Sequence, residues 1–255
     1  MSSSIWTHDA LLSDRVALAR ECWRVVEAQH RISTMKLVDS QAEQAVLESI
    51  LEDSKPPIPQ DCRHLDYLLF TPFRYAAYPQ GSRFRRAGMT PGVFYAASDA
   101  ETAIAELAFH RLLFYAESPA TPFPKNPAEY TAFSVRIQTI AALDLTQPPL
   151  AADEAAWTQL QNYEACQSLA DAARIAAIEA ILYASVRHPA HRTCCAVLRC
   201  CAFANPRPVK LQSWRILVSR RGAFASCEAP AGGVTFPIEM FSADTRLQPL
   251  MAAAG

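Results

Sequence analysis

The sequence predicts an α+β protein with mixed sheets, preceded by an N-terminal helical extension, and three observations carry that prediction. Strand-like segments outnumber helical ones. Several follow one another with no helix between them, which excludes a regular βαβ repeat. Residues 9–53, by contrast, hold apolar positions near the helical period with no internal Pro or Gly.

Within Asp9 to Asp53 the recurring positions are Leu11, Leu12, Val16, Leu18, Ala19, Trp23 and Val26, then Ala45, Val46, Ile50 and Leu51. Their stripes need a partner, either the core of the same chain or a second copy in a homo-oligomer. The run Pro56-Pro57-Ile58-Pro59 cannot continue a helix and marks a boundary. Three regions follow: a helical extension over 1–55, a catalytic core over 56–220 and an irregular tail over 221–255. Strand candidates in the core are 68–75, 92–97, 130–138, 141–145, 180–185, 195–203 and 210–218, chosen for apolar or alternating pattern. One helix starts at Ser98 or Asp99, where Ser98 and Glu101 have the spacing of a capping box. Another spans 154–178. In the tail, Pro230, Gly232, Gly233, Pro237 and Pro249 argue against regular structure.

Composition excludes several classes. With 51% hydrophobic and 19% charged residues over 255 positions, the chain is globular and not disordered. Lys+Arg at 24 against Asp+Glu at 25 is not the basic balance of a protein that neutralises many phosphates, so no direct nucleic-acid binding is expected and any anion site is local. The opening MSSSIWTHDALLSDR lacks a basic stretch followed by an apolar run, and no run of about 18 apolar residues occurs, so a cytoplasmic protein without a membrane span is expected. Eight cysteines without the spacing of a small secreted domain read as reduced thiols.

Chemistry concentrates in GSRFRRAGMTPGVFYAASDAETAIAE, residues 81–106. Three of the seven glycines, Gly81, Gly88 and Gly92, lie here beside Arg83, Arg85 and Arg86. Strand-like alternation would turn Arg83 and Arg85 away from Phe84 and Arg86. A guanidinium suits phosphate oxygens, whereas the plainer role is a solvated surface cation. With no G-x-x-x-x-G-K-[ST] loop and no G-x-G-x-x-G turn, a bound nucleotide would be held by arginines. Glu106 sits beside the apolar band of Ile104, Leu107, Ala108, Phe109 and Leu112. It either pairs with Arg111 or an arginine of the 83–86 cluster, or stabilises positive charge at a sugar carbon during glycosidic cleavage.

The order Phe73-Arg74-Tyr75, GSRFR with Arg83, VFY with Tyr95, AIAE with Glu106 and YASVR with Ser185 resembles the RES domain, a family named for its Arg, Glu and Ser. The resemblance runs over residues 65–218 and includes the eleven-residue step from Tyr95 to Glu106. It implies a fold related to the ADP-ribosyltransferase toxins and cleavage of the nicotinamide–ribose bond of NAD, by hydrolysis or phosphorolysis. It further implies the toxin of a bacterial toxin–antitoxin pair, neutralised by a partner of the Xre type. Arg83, Glu106 and Ser185 would be catalytic, while Arg74, Tyr75 and Tyr95 would bind NAD. In these roles Arg83 and Arg74 grip the pyrophosphate, the two tyrosines meet nicotinamide and ribose, and Ser185 orients the nicotinamide ribose or its amide. NAD is then a substrate, with no further cofactor and no metal required. A protein ADP-ribosyltransferase and a non-catalytic RES-like module that binds NAD or a partner remain alternatives.

Other groups read as structural. Cys194, Cys195, Cys200 and Cys201 lack C-x-x-C spacing and fit core filling better than a metal cluster. His188 and His191 are separated by Pro189 and read as a loop pair. His110 follows Glu106 by four residues and reads as an ordinary histidine.

Overall fold

The computed structural model describes residues 6–28, 37–75, 79–88 and 92–252. Among these, eight strands form one sheet around which the helices pack. The elements in chain order are α1 (His8–Ser13), β1 (Val16–Glu27), α2 (Gln41–Asp53), α3 (Tyr67–Arg74), β2 (Phe94–Ala97), α4 (Ala100–Glu117) and β3 (Ala128–Asp144). They continue with α5 (Glu154–Trp157), α6 (Glu164–Ile175), β4 (Ala180–Ala184), β5 (Thr193–Val197), β6 (Lys210–Ser219), β7 (Gly222–Cys227), β8 (Gly232–Pro237) and α7 (Gln248–Ala252). The strand order is β1-β2-β5-β4-β3-β6-β7-β8, and β1 also pairs with β3. The first five strands in that order therefore close into a ring, and β6–β8 extend from it. Among the described residues only β3 and β4 run parallel.

The largest departure from the sequence reading is β1. Residues 16–27 pair antiparallel with β3 from Val16↔Ala142 to Glu27↔Tyr130. Leu18 and Cys22 lie four apart and point into the core, a spacing shared by helices and by alternate pairs of strand residues. The β-branched Val16, Val25 and Val26, with Trp23, tip such a segment toward a strand once a partner edge is available. The N-terminal region is thus part of the sheet and not a purely helical extension; its helical reading over 29–36 lies outside the described residues.

The sequence pattern predicts a strand over 68–75, but residues 67–74 form the helix α3. Asp66 accepts a hydrogen bond from the Leu68 N–H as N-cap, and Leu69, Pro72 and Phe73 are buried at helical spacing. The two strand segments over 130–138 and 141–145 are one continuous strand, β3. The 195–203 segment ends as a strand at Val197 and turns through a short 3-10 helix, Cys200–Ala202. The 154–178 helix is broken into α5 and α6. Asp99, not Ser98, caps α4, accepting from Thr102 N and Thr102 Oγ1.

Residues 221–252 of the tail form strands and short helices. A two-residue turn joins β6 to β7, and Gly222 permits it: its φ is +122°, and a Cβ there would lie 2.1 Å from the Phe236 carbonyl oxygen. Phe236, Ile238, Phe241, Leu247 and Leu250 bury themselves with Ile104, Ala108, Phe109 and Leu112 of α4. Each such large side chain contributes about 1.5–3 kcal/mol by leaving water. Turn residues in the sequence were real, but they separate short strands instead of ending structure. Cys62 and Cys200, with Cα atoms 5.5 Å apart, form a disulfide. This overturns the reading of all eight cysteines as reduced, since 138 residues of chain separate the two and only the fold brings them together. No helix among the described residues is long and apolar enough to cross a membrane.

Candidate active site

A cavity of about 660 Å³ opens between α4, β1, the turn at 80–83 and the segment around Tyr163. That size falls within the roughly 300–1,000 Å³ of small-molecule sites. Glu106 on α4 reaches into it because it lies on the stripe Ala103, Glu106, Leu107 and His110 that faces the cavity, while Ile104, Ala108 and Leu112 bury with the C-terminal residues. Ser185, directly after β4 and without exposed surface, donates from Oγ to Glu106 Oε1 at 2.5 Å. The same oxygen accepts the backbone N–H groups of Arg187 at 3.2 Å and His188 at 3.1 Å. Ser185 is therefore a fixed strut: two amides aim its hydroxyl at the carboxylate. His191 holds the other side of that turn through the Ser185 carbonyl, Nδ1 to O 2.9 Å.

Arg83 is 8% exposed and lies in the cavity wall. Its Nη1 donates to the Trp157 carbonyl at 2.5 Å, and its guanidinium lies 4.8 Å from the centre of the Tyr163 ring. Tyr95 fixes this turn from below, its hydroxyl bonding Ser82 Oγ at 2.8 Å and accepting from Phe84 N at 3.0 Å. Residues 82–85 make a tight turn, with Ser82 and Arg85 exchanging backbone hydrogen bonds, so strand alternation does not apply there. Arg85 instead donates to the Gly92 carbonyl, and Arg86 pairs with Asp171 and Glu164 on α6. Of the three clustered arginines, Arg83 alone lines the cavity.

The sequence-predicted residues divide cleanly. Arg83, Tyr95, Glu106 and Ser185 come together, whereas Arg74 and Tyr75, at the end of α3, do not line the cavity. Arg74 donates to the Pro56 carbonyl at 2.6 Å and pairs with Glu52 of α2 at 2.6 Å, so it binds secondary structure together. Both partners lie far back in the chain from the motif, which the spacing of Phe73-Arg74-Tyr75 could not reveal. Ser185, expected to orient the ligand directly, touches Glu106 instead. Arg111 pairs with Glu27 and Tyr130 and leaves Glu106 to the site.

Several cavity residues were missed. Arg187, in the YASVR segment two residues past Ser185, is 4% exposed and lies over the Phe109 ring at 3.5 Å. Its Nη1 bonds Asp244 Oδ2 at 2.8 Å and its Nη2 the Leu160 carbonyl at 2.9 Å. Arg246 binds the same Asp244 through Nε and Nη2. Trp23 and Arg24 enter from β1, with Arg24 donating to the Tyr95 carbonyl. A visible signal existed only for Arg187, through its motif; Asp244 and Arg246 lie in a tail that its turn residues disguised.

The electrostatics separate two carboxyls. Burial pushes the Glu106 carboxyl above the usual carboxylate range, with the Ser185 hydrogen bond and the charges of Arg187 and Arg83 acting against it. At Asp244 burial acts in the same direction, but hydrogen bonds from Arg246 and the charge of Arg187 outweigh it and hold the group at about 2. Asp244 is a permanent counter-ion, while Glu106 is tunable. His110 is driven down to about 4 by its enclosed position in the cavity and by the charges of Arg187, Arg246 and Arg83, so its imidazole is neutral. Burial raises the Cys194 thiol well above its ordinary value, so this cavity residue is no thiolate nucleophile.

No curated protein matches the chain. Among solved structures, a chain of the M. tuberculosis MbcT–MbcA toxin–antitoxin complex aligns at a TM-score of 0.46 and 15% identity, covering 79% of this chain and 90% of that one. The family model of the RES domain matches residues 58–219, which include Arg83, Glu106 and Ser185. The chain belongs to the RES domain family.

Proposed function

We propose that the protein degrades NAD by cleaving its nicotinamide–ribose bond, as a glycohydrolase or phosphorylase, and acts as the toxin of a toxin–antitoxin pair. The observation that carries the enzymatic part is the buried Ser185–Glu106 hydrogen bond at the wall of an arginine-lined cavity. Family membership supports the toxin part and, with it, an antitoxin partner, for which we propose the Xre type.

In this reading the C–N bond to nicotinamide breaks ahead of nucleophile addition. Nicotinamide leaves with the bonding pair, and positive charge grows on the ribose anomeric carbon and ring oxygen. Glu106 in its carboxylate form offsets that charge and accepts a hydrogen bond from a ribose hydroxyl. Ser185 is a positioning residue, holding one carboxylate oxygen so that the other faces the sugar. Arg83, immobilised by the Trp157 carbonyl, attracts the pyrophosphate. Trp23, Tyr95 and Tyr163 provide flat aromatic walls suited to the two rings of the dinucleotide.

The test is to incubate the purified chain with NAD and follow free nicotinamide with and without inorganic phosphate. Release without phosphate identifies hydrolysis, and release that requires phosphate, with ADP-ribose 1-phosphate formed, identifies phosphorolysis. No release from bound NAD would refute the proposal.

A further inference from the structure

The Leu160 carbonyl is a meeting point that the Glu106 chemistry does not explain. It accepts from Arg187 Nη2 at 2.9 Å, from Arg246 Nη2 at 3.2 Å and from the Tyr163 hydroxyl at 3.1 Å. All three side chains line the cavity, and Arg83 lies against the other component of this group, the Tyr163 ring. Asp244, 1% exposed, is the carboxylate bonded to both Arg187 and Arg246, at 2.8 and 2.7 Å. Gln161 Nε2 also donates to Asp244, at 3.2 Å, which occupies that carboxylate further. Three guanidiniums thus converge with Asp244, and even with the Glu106 carboxylate counted against them a net positive charge remains in the cavity. Such an excess in a part-buried wall is costly unless a ligand neutralises it.

We propose that Arg187 and Arg246 form a diphosphate-binding subsite beside Arg83, with Arg246 as the residue that sets the preference for phosphorylated substrates. This deepens the proposed function and rests on it. The geometry divides the labour. Arg187 is buried and doubly tied, so it supplies fixed charge. Arg246, 28% exposed at its side chain, keeps its Nε edge on Asp244 and stands at the wetter side of the group, where a phosphate arriving from solvent can meet it. A diphosphate brings the negative charge that this excess lacks. The subsite also explains why a segment beyond the RES-matched region packs against α4: residues 238–250 carry Asp244 and Arg246 into place by burying Ile238, Phe241 and Leu247.

The experiment compares the wild type with Arg246→Ala and Arg246→Lys in the full chain, measuring kcat and KM for NAD together with inhibition constants for ADP-ribose and nicotinamide. Loss of a charge-assisted contact predicts that Arg246→Ala raises both the KM for NAD and the ADP-ribose inhibition constant about 10- to 100-fold. Inhibition by nicotinamide, which has no phosphate, stays close to the wild-type value, and Arg246→Lys recovers part of the loss. Thermal melting guards against a structural explanation, since Asp244 keeps Arg187 as partner in both variants. The inference fails if KM and ADP-ribose inhibition are indifferent to Arg246→Ala, or if ADP-ribose and nicotinamide lose affinity equally along with the melting temperature. Wild-type turnover with an indifferent variant removes the subsite and leaves the proposed function standing. A wild type that neither binds nor cleaves NAD removes both.

Discussion

Two parts of the chain build the cavity, and they contribute different things. Residues 58–219, the part that matches the RES domain, supply Glu106, Ser185 and Arg83, joined by short contacts within that stretch. The flanking segments supply Trp23 and Arg24 from β1 and Asp244 and Arg246 from beyond β8. In the proposed reading the matched stretch carries Glu106 and most of the cavity's aromatic wall, and the flanks add Trp23 and the Asp244–Arg246 pair. Binding and bond cleavage can therefore be damaged separately, which gives the comparison its tests.

Asp244→Ala should have the largest effect. It removes the shared counter-ion of two arginines and leaves Arg187, 4% exposed, without its carboxylate. Breaking a buried pair in this way costs about 3–5 kcal/mol. Chemical denaturation should read it as a lower midpoint. The wild type should show the corresponding pH dependence. The folded pKa of Asp244 is depressed to about 2 from an ordinary value near 3.8, so its stabilisation is complete above the ordinary value and is lost as pH falls through that range toward 2. The loss is about 2 kcal/mol. An acid melt unchanged by Asp244→Asn would contradict this.

Glu106→Gln tests the other part of the chain. It keeps size and removes charge, and losing one such electrostatic contribution lowers turnover about 10²- to 10³-fold. Stability should move the opposite way from Asp244→Ala. The folded pKa of Glu106 is raised, so ionising it weakens the native state as pH rises through and above the usual carboxylate range. The Gln variant escapes that penalty and should melt higher than wild type at neutral pH, with the difference shrinking toward pH 4. A carboxylate needed only for structure would give the reverse.

Ser185→Ala sits between the two. The Glu106 carboxyl loses the hydrogen bond that favours its charged form, so its pKa climbs further and the acid limb of the rate profile moves to higher pH. Turnover at neutral pH should fall about 10-fold, the worth of one hydrogen bond to a charged group. An unshifted acid limb would separate Ser185 from Glu106.

The same division describes what the sequence made legible. The Tyr95-to-Glu106 step could be read because β2 and α4 are adjacent and their spacing is set by a single cap at Asp99. Ser185 was readable through its motif, and Arg187 stood in the same five residues. What stayed hidden depends on contacts distant in sequence. β1 is a strand because β3 pairs along its whole length, and its apolar spacing alone fits a helix as well. Residues 221–252 of the tail form strands and short helices because α4 covers them, although Pro and Gly punctuate the segment. Cys62 and Cys200 meet only in the folded chain.

Arg74 offers the smallest and most discriminating test, because its motif and its geometry point to different roles. The Phe73-Arg74-Tyr75 segment gave it to the pyrophosphate, yet its guanidinium bonds the Pro56 carbonyl and Glu52 and lies outside the cavity lining. Its charge is already committed to α2, a helix with none of its residues buried. Arg74→Gln should therefore loosen α2 and cost about 1 kcal/mol, since the pair is partly exposed at Glu52. KM for NAD should stay where it was, in contrast to Arg246→Ala, and limited proteolysis should cut faster between 41 and 55. A large rise in KM with unchanged proteolysis would return Arg74 to the substrate and place a fourth segment of the chain at the diphosphate.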